Sequence, residues 1–409
     1  MFGPLRLAVV ASALAAAVAP SLAADAGSGI SFDGIDAIFS FGDSYSTVGY
    51  KPQFGLKPVP LLGGTTSGGY NWVQFLAFSH AATNQSYFDF AQSGATVDNS
   101  IIRTNDGNVP PSFDMQVAEW EQFFGVQEAE VKWTAEGSLF TVFFGINDMG
   151  YTGLQGGHNA SELIPRIVAS YEASVSRLYE RGARKFLLVL VPPTYRSPYI
   201  RSFGESMVGQ FVSNINQYTL SLQAAISSVS ARFPDAVFKT YDPTPLFNSV
   251  LDNAASFGFS VSDSSCLAYR TDRAPDPDID LPACGAPLKE YVWADDYHPT
   301  WAVHKLLAQD MLNQFLSSDE TASASPTLPV SATESTTSSE AAPLAAGERL
   351  GSIARRGREP FRRPAHGSGR GPARGGNRHG HGHGHAAARR TGEFTPTEEK
   401  MRRRWAGLA

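Results

Sequence analysis

Five short apolar runs, separated by stretches of helical spacing, constrain this chain more than any other feature. Residues 36–41 (DAIFSF), 138–144 (SLFTVFF) and 185–191 (KFLLVLV) are too brief for buried helices, and they read as strands covered on both faces. Residues 86–90 and 236–241 are further strands, the second barred from extension by Pro243. Helical periodicity marks residues 72–80, 161–181 (Ile164, Ile167, Val168, Tyr171 and Val175 on one face) and 211–233, and a last amphipathic helix is expected over 301–315. Strands alternating with helices predict an α/β fold with a parallel sheet covered on both sides. The sequence carries no internal repeat.

Charge divides the chain in two. The first 347 residues hold 18 Lys and Arg against 34 Asp and Glu, net −16, whereas the last 62 hold 15 against 5, net +10. At the N-terminus, Arg6, an apolar stretch over 7–18 and the small-x-small Ser21-Leu22-Ala23 read as a signal peptide, residues 1–23, and predict a secreted, extracellular protein. No later segment reaches the roughly 18 apolar residues of a transmembrane helix. Residues 30–317 hold the folded domain. Residues 318–346 turn to Ser, Thr, Pro and Ala without aromatics, a linker that cannot bury enough surface to offset its ordering entropy. Residues 347–409 form a basic Arg-, Gly- and His-rich tail, expected to be disordered and suited to acidic surface polymers. His379, His381, His383 and His385 alternate there, but no Cys or carboxylate completes a metal site. The Arg pairs 355–356 and 389–390 offer processing sites. No metal, cofactor or nucleic-acid partner is expected, and the protein is expected to be a monomer.

Two sequons begin at Asn84 and Asn159 and are expected glycan acceptors. Cys266 and Cys284 are the only cysteines. In a secreted chain such a pair most simply forms a disulfide, the other reading being two buried thiols.

In a parallel sheet of this kind ligands bind outside the carboxyl ends of the strands, and four polar signals fall there. Ser44 follows the first strand, Gly94 the second and Asn147 the third, while His298 precedes the last helix with Asp295 three residues before it. A serine hydroxyl needs a base to take its proton, and an imidazole does so near neutral pH once a carboxylate fixes its tautomer. Asp296 is a second carboxylate within reach of the ring, though the spacing favours Asp295. Attack on a carbonyl creates an oxyanion, for which the Gly94 N–H, the Asn147 amide and the Ser44 N–H are donors. His80, His158 and His304 have no such carboxylate before them. The segment 45–70, with Tyr50, Phe54 and Tyr70, is expected to wall the cleft.

These residues resemble the SGNH or GDSL hydrolases, whose blocks carry Ser, Gly, Asn and His in this order: here Gly42-Asp43-Ser44, Gly94, Gly145-Ile146-Asn147-Asp148 and Asp295-x-x-His298. The resemblance covers roughly 38–315 and implies a flavodoxin-like three-layer sandwich with a mostly parallel five-stranded sheet. FGDSYSTVGY, NWVQFL, GATVDN, FFGINDMG, VPPTYRSP and DDYHPTWAVH further look like carbohydrate esterase family 16, secreted fungal acetylesterases acting on sugars and hemicellulose fragments. That resemblance implies Ser44 as nucleophile, His298 as general base, Asp295 as its orienting acid, Gly94 with Asn147 as oxyanion hole, and an acetylated sugar or oligosaccharide as substrate. A lipase or phospholipid acyl hydrolase would share the same residues, and a noncatalytic carbohydrate-binding module would have no reason to keep all five. Ser93 stands where relatives often carry a second glycine, and the basic tail has no counterpart in the family.

Overall fold

The computed structural model describes residues 30, 34–52, 64–79, 86–102, 109–125, 131–154, 159–271 and 278–316. The expected signal peptide, linker and basic tail lie outside them, as do Asn84, His80, His158 and Phe54. Five strands form one sheet: β1 (Ala37–Gly42), β2 (Ser86–Asp89), β3 (Ser138–Phe143), β4 (Lys185–Val189) and β5 (Val237–Tyr241). Their order is β2-β1-β3-β4-β5 and every pairing is parallel. Each strand ends within two residues of the run that predicts it.

Nine α-helices accompany the strands: α1 (Trp72–Ser79), α2 (Phe113–Phe123), α3 (Ile146–Leu154), α4 (Ala160–Glu180), α5 (Pro198–Arg201), α6 (Glu205–Arg232), α7 (Thr244–Asp252), α8 (Leu267–Thr271) and α9 (Trp301–Met311) among the described residues. The chain runs from β1 outward to β2, then back across β1 to β3 and on to β5. Right-handed crossovers therefore put α1 on one face and α2, α4 and α6 on the other. The packing agrees: α1 lies against α9, and α4 lies between α2 and α6. This is a three-layer sandwich of the flavodoxin type, with its reversal of strand order between β1 and β3.

A row of phenylalanines holds the register. Phe88, Phe39, Phe140, Phe186 and Phe238 are successive cross-strand partners over all five strands, with ring centroids 5.4, 5.1, 5.8 and 4.7 Å apart. A one-residue slip of any strand would turn its ring to the opposite face, so the row selects one alignment. Trp120 of α2 meets Phe39 and Phe140 edge-on at 5.8 and 5.4 Å, which seats that helix on the same face.

Several elements depart from the sequence reading. The long helix α6 starts at Glu205, six residues ahead of its expected start, in a stretch with Gly209 and weak periodicity. The final helix stops at Met311 and loosens into a π turn, Leu312–Leu316. α3 is unexpected because INDMGYTGL combines two glycines with polar residues, types that weaken helices in isolation.

Candidate functional site

The elbow that carries Ser44 is built by hydrogen bonds that arrive from distant segments. At the end of β1, the Gly42 N–H donates to Gln116 Oε1 at 3.0 Å, and the Gly42 carbonyl accepts from Gln116 Nε2 at 2.9 Å and the Gln92 N–H at 3.1 Å. The buried amide of α2 thus mimics a neighbouring strand just where the sheet stops. The chain then turns, with the N–H groups of Ser46 and Thr47 donating to the Asp43 carbonyl at 3.1 and 2.9 Å and the Tyr45 N–H donating to Asp43 Oδ1 at 3.0 Å. Ser44 occupies the turn, its carbonyl accepting from Thr66 Oγ1 at 2.7 Å. Burial pushes the Asp43 carboxyl up to about 7, against the pull of the Tyr45 N–H and of His298.

Two further segments meet beside this turn. Gly94 has φ +80°, a conformation that favours glycine. Asn147, on the first turn of α3, donates through Nδ2 to the carbonyl of Ala95 at 2.9 Å. Asp148 accepts the Val97 N–H on both oxygens, at 3.1 and 3.2 Å, and burial raises its carboxyl to about 7. The turn into α3 needs Gly145: its φ is +116°, and a Cβ there would lie 2.4 Å from the Tyr218 ring.

The histidine comes from a narrow hairpin in which Trp293 bridges Pro299 antiparallel and the Ala294 N–H donates to the His298 carbonyl at 2.8 Å. At its tip, Asp295 Oδ1 accepts the N–H groups of Tyr297 and His298, both at 2.8 Å. The same carboxylate faces the ring, with His298 Nδ1 2.9 Å from Oδ2 and 3.1 Å from Oδ1. His298 Nε2 lies 2.8 Å from Ser44 Oγ. Burial works to raise the Asp295 carboxyl, but His298 and the two N–H groups prevail and the net shift is downward. Asp296 is engaged elsewhere: Ser265 Oγ donates to its Oδ1 at 2.7 Å and the Tyr199 N–H to its carbonyl at 2.8 Å. An imidazole held in this way can accept the serine proton and return it to a leaving group.

Tyr50 is not a cleft residue as expected. It is buried and packs edge-on against Phe88 and Phe90 at 6.2 and 6.0 Å, because the chain after the elbow folds back over the β2 side of the sheet. Tyr70 is half-buried against Phe75. Gln116 and Thr66 escape a sequence reading, and Asp148 enters it only within the Gly145–Asp148 block and without a role, since each acts on backbone groups that no side-chain pattern reveals. Among the described residues, no cluster of three or more His, Cys, Asp or Glu side chains is arranged to hold a metal.

Cys266 and Cys284 are bridged. With Tyr269, Leu288 and Tyr291 they form a small satellite core, and Trp293 Nε1 donates to the Ser262 carbonyl at 2.9 Å, tying this core to the histidine hairpin. Denatured, unreduced protein is expected to show no reactive thiol, and two reactive groups would reject the bridge. Replacing both cysteines by serine should lower unfolding free energy by about 3 kcal/mol in the chain-entropy model for a loop of this size, measured by urea unfolding.

His304 of α9 is fully buried, and neither ring nitrogen has a hydrogen-bond partner among the described residues. Burial first, then the neighbouring His298, lowers its pKa from 6.5 to about 3. Unfolded chain therefore takes up a proton here that folded chain refuses, and stability is lost as pH falls below 6.5 toward 3. Asp43 and Asp148, raised in the folded state, pull the opposite way, so the informative quantity is a difference. Between pH 7 and pH 5, His304→Leu should gain about 2 kcal/mol of unfolding free energy relative to the unmodified protein. A pH-independent difference would reject this account.

A wholly parallel sheet that carries serine, histidine and carboxylate hydrogen-bonded in series at its carboxyl edge is the constellation of an α/β serine hydrolase. The chain belongs to the GDSL-like lipase/acylhydrolase family, whose model matches residues 38–311, and with it to the carboxylic ester hydrolases. An acetylesterase from Thermothelomyces thermophilus is 30% identical over 282 residues, spanning 66% of this chain and 85% of the relative. An acetylesterase from Hypocrea jecorina is 22% identical over 340 residues, spanning 69% and 89%. A thermolabile hemolysin from Vibrio parahaemolyticus is 23% identical over 291 residues, spanning 68% of this chain and 64% of that one. Among the described residues no helix is long and apolar enough to cross a membrane.

Proposed function

We propose that the protein is a secreted esterase that releases acetyl groups from carbohydrate or hemicellulose-derived esters through an acyl-Ser44 intermediate, in the manner of carbohydrate esterase family 16. The observation that carries this reading is the 2.8 Å contact between Ser44 Oγ and His298 Nε2, with Nδ1 of the same ring on Asp295 at 2.9 Å. Ser44 Oγ attacks the ester carbonyl as its proton passes to Nε2. The tetrahedral oxyanion is met by the N–H groups of Gly94 and Ser44 and by the Asn147 amide, which has a second N–H besides the one on Ala95. As the C–O bond to the alcohol breaks, His298 returns the proton to the departing oxygen. Water, deprotonated by the same ring, then releases acetate and restores Ser44.

Acetyl as the acyl group draws support from the two acetylesterases among the relatives. Secretion draws support from the apolar run over 7–18 with its small-x-small cleavage signal. The sequon asparagine Asn159, exposed at the N-cap of α4, suits a glycan. The domain is assigned to 30–317, followed by the linker and basic tail.

The deciding experiment sets a chain-length series of 4-nitrophenyl esters beside acetylated xylo-oligosaccharides. Highest kcat/KM on acetate, with acetate released from the oligosaccharides, is expected. Preference for octanoate or longer would move the assignment to a lipase. Asn147→Ala should lower kcat about 10²- to 10³-fold through one lost oxyanion donor, read in the same assay.

A further inference from the structure

We infer that Tyr45 is a positioning residue for ester cleavage: its hydroxyl ties the backbone next to His298 to the backbone next to Ser44 and so fixes the spacing of imidazole and serine. The inference rests on the reading of Ser44 and His298 as nucleophile and base. Tyr45 O–H donates to the Tyr297 carbonyl at 2.8 Å, across 252 residues of sequence. Because Ser44 precedes Tyr45 and Tyr297 precedes His298, this bond and the Ser44–His298 contact close a ring through the Ser44–Tyr45 peptide, the tyrosine side chain, the Tyr297–His298 peptide, the imidazole and the serine side chain, joined by two hydrogen bonds. Adjacent α-carbons are held about 3.8 Å apart across each peptide, and the phenol and imidazole are rigid planes that are both buried, so few torsions are left to change the spacing of the reacting groups.

The tyrosine itself is fixed at both ends. Its N–H is held by Asp43 Oδ1 at 3.0 Å, and its ring is buried against Phe143, His298 and His304 at 5.9, 5.7 and 6.1 Å. Burial first, then the nearby Tyr297, Asp43 and Asp295, push the phenol well above its ordinary acidity range, so it remains a donor at any pH where the enzyme works. The ring fills space that phenylalanine would fill equally well. The hydroxyl, in contrast, spans the two chain segments whose separation decides proton transfer, and displacements of about 1 Å in such a geometry cost on the order of 10²-fold in rate.

The test is Tyr45→Phe in the full chain, assayed on 4-nitrophenyl acetate, with active sites counted by a fluorophosphonate that labels the serine. Ser44→Ala and the core variant Val303→Ala run in parallel. Expected for Tyr45→Phe are a kcat per titrated site lower by about tenfold, a KM within about twofold, and fluorophosphonate labelling slowed by a similar factor. Val303→Ala, which lowers Tm from a core position outside the site, should keep kcat per titrated site. Titration counts only folded sites, so partial unfolding does not mimic the effect. Three results would overturn the inference: kcat per site unchanged in Tyr45→Phe, a loss carried by KM alone, or no titratable sites, which would make the hydroxyl a requirement of folding. Full activity in Ser44→Ala would instead remove the reading beneath it.

Discussion

Ser44→Ala is expected to lower kcat on 4-nitrophenyl acetate by at least about 10⁴-fold with KM little changed. The reason is the series of contacts at the carboxyl edge of the sheet. Oγ is the atom 2.8 Å from His298 Nε2, and without it the imidazole has only water to activate. Residual turnover should come from the proposed oxyanion donors, which the substitution leaves in place, because Asn147 is held by the Ala95 carbonyl rather than by the serine and Gly94 lies on a separate segment. Ser44 sits in a turn pinned at Gly42 by Gln116 and at its own carbonyl by Thr66, so alanine should fold unchanged. A Tm within a degree or two of the unmodified protein would show that chemistry, and not structure, has been lost. Retained activity in the alanine variant would refute the nucleophile assignment.

Asp295→Asn should cost about 10⁴-fold in kcat, comparable to the loss known for the equivalent change in the Ser-His-Asp template. Here the geometry states why. Oδ1 of residue 295 receives the N–H groups of Tyr297 and His298, and only an oxygen can accept them. The asparagine amide nitrogen would therefore take the Oδ2 place and point its N–H at His298 Nδ1. Nδ1 must then be the acceptor, which forces the ring proton onto Nε2, the nitrogen that should receive the proton of Ser44. The backbone of the hairpin thus enforces the unproductive tautomer. A kcat within tenfold of the unmodified enzyme would show that the carboxylate does not orient the ring, and Asp296→Asn, whose carboxylate serves Ser265, is expected to have a far smaller effect.

The positions of Ser44, Gly94, Asn147 and His298 were readable because each follows the end of an apolar run or precedes a periodic helix, and parallel sheets collect such loops at one edge. The strands themselves were readable for a related reason: both faces of β1 and β3 are covered, which leaves uninterrupted apolar runs. Strand order and register were not, since they depend on partners such as Phe39 and Phe140 a hundred residues apart. Gln116 shows the limit most plainly. It serves the backbone of Gly42 from 74 residues away, and backbone N–H and carbonyl groups look alike in every sequence. Tyr50 shows the converse error, an aromatic near the cleft in sequence that belongs to the core in space.

The hairpin that bears the imidazole follows the last strand of the sheet, and its partner serine lies 254 residues earlier. A nascent chain emerging as far as residue 290 already carries all five strands together with Ser44, Gly94 and Asn147, yet it lacks His298 and Asp295. Contacts of such long sequence separation also form late, because the loop they close must be ordered first. If Ser44 and His298 act as proposed, hydrolytic competence is gained only when the 293–299 hairpin docks at the carboxyl edge of the sheet, after every strand has been made.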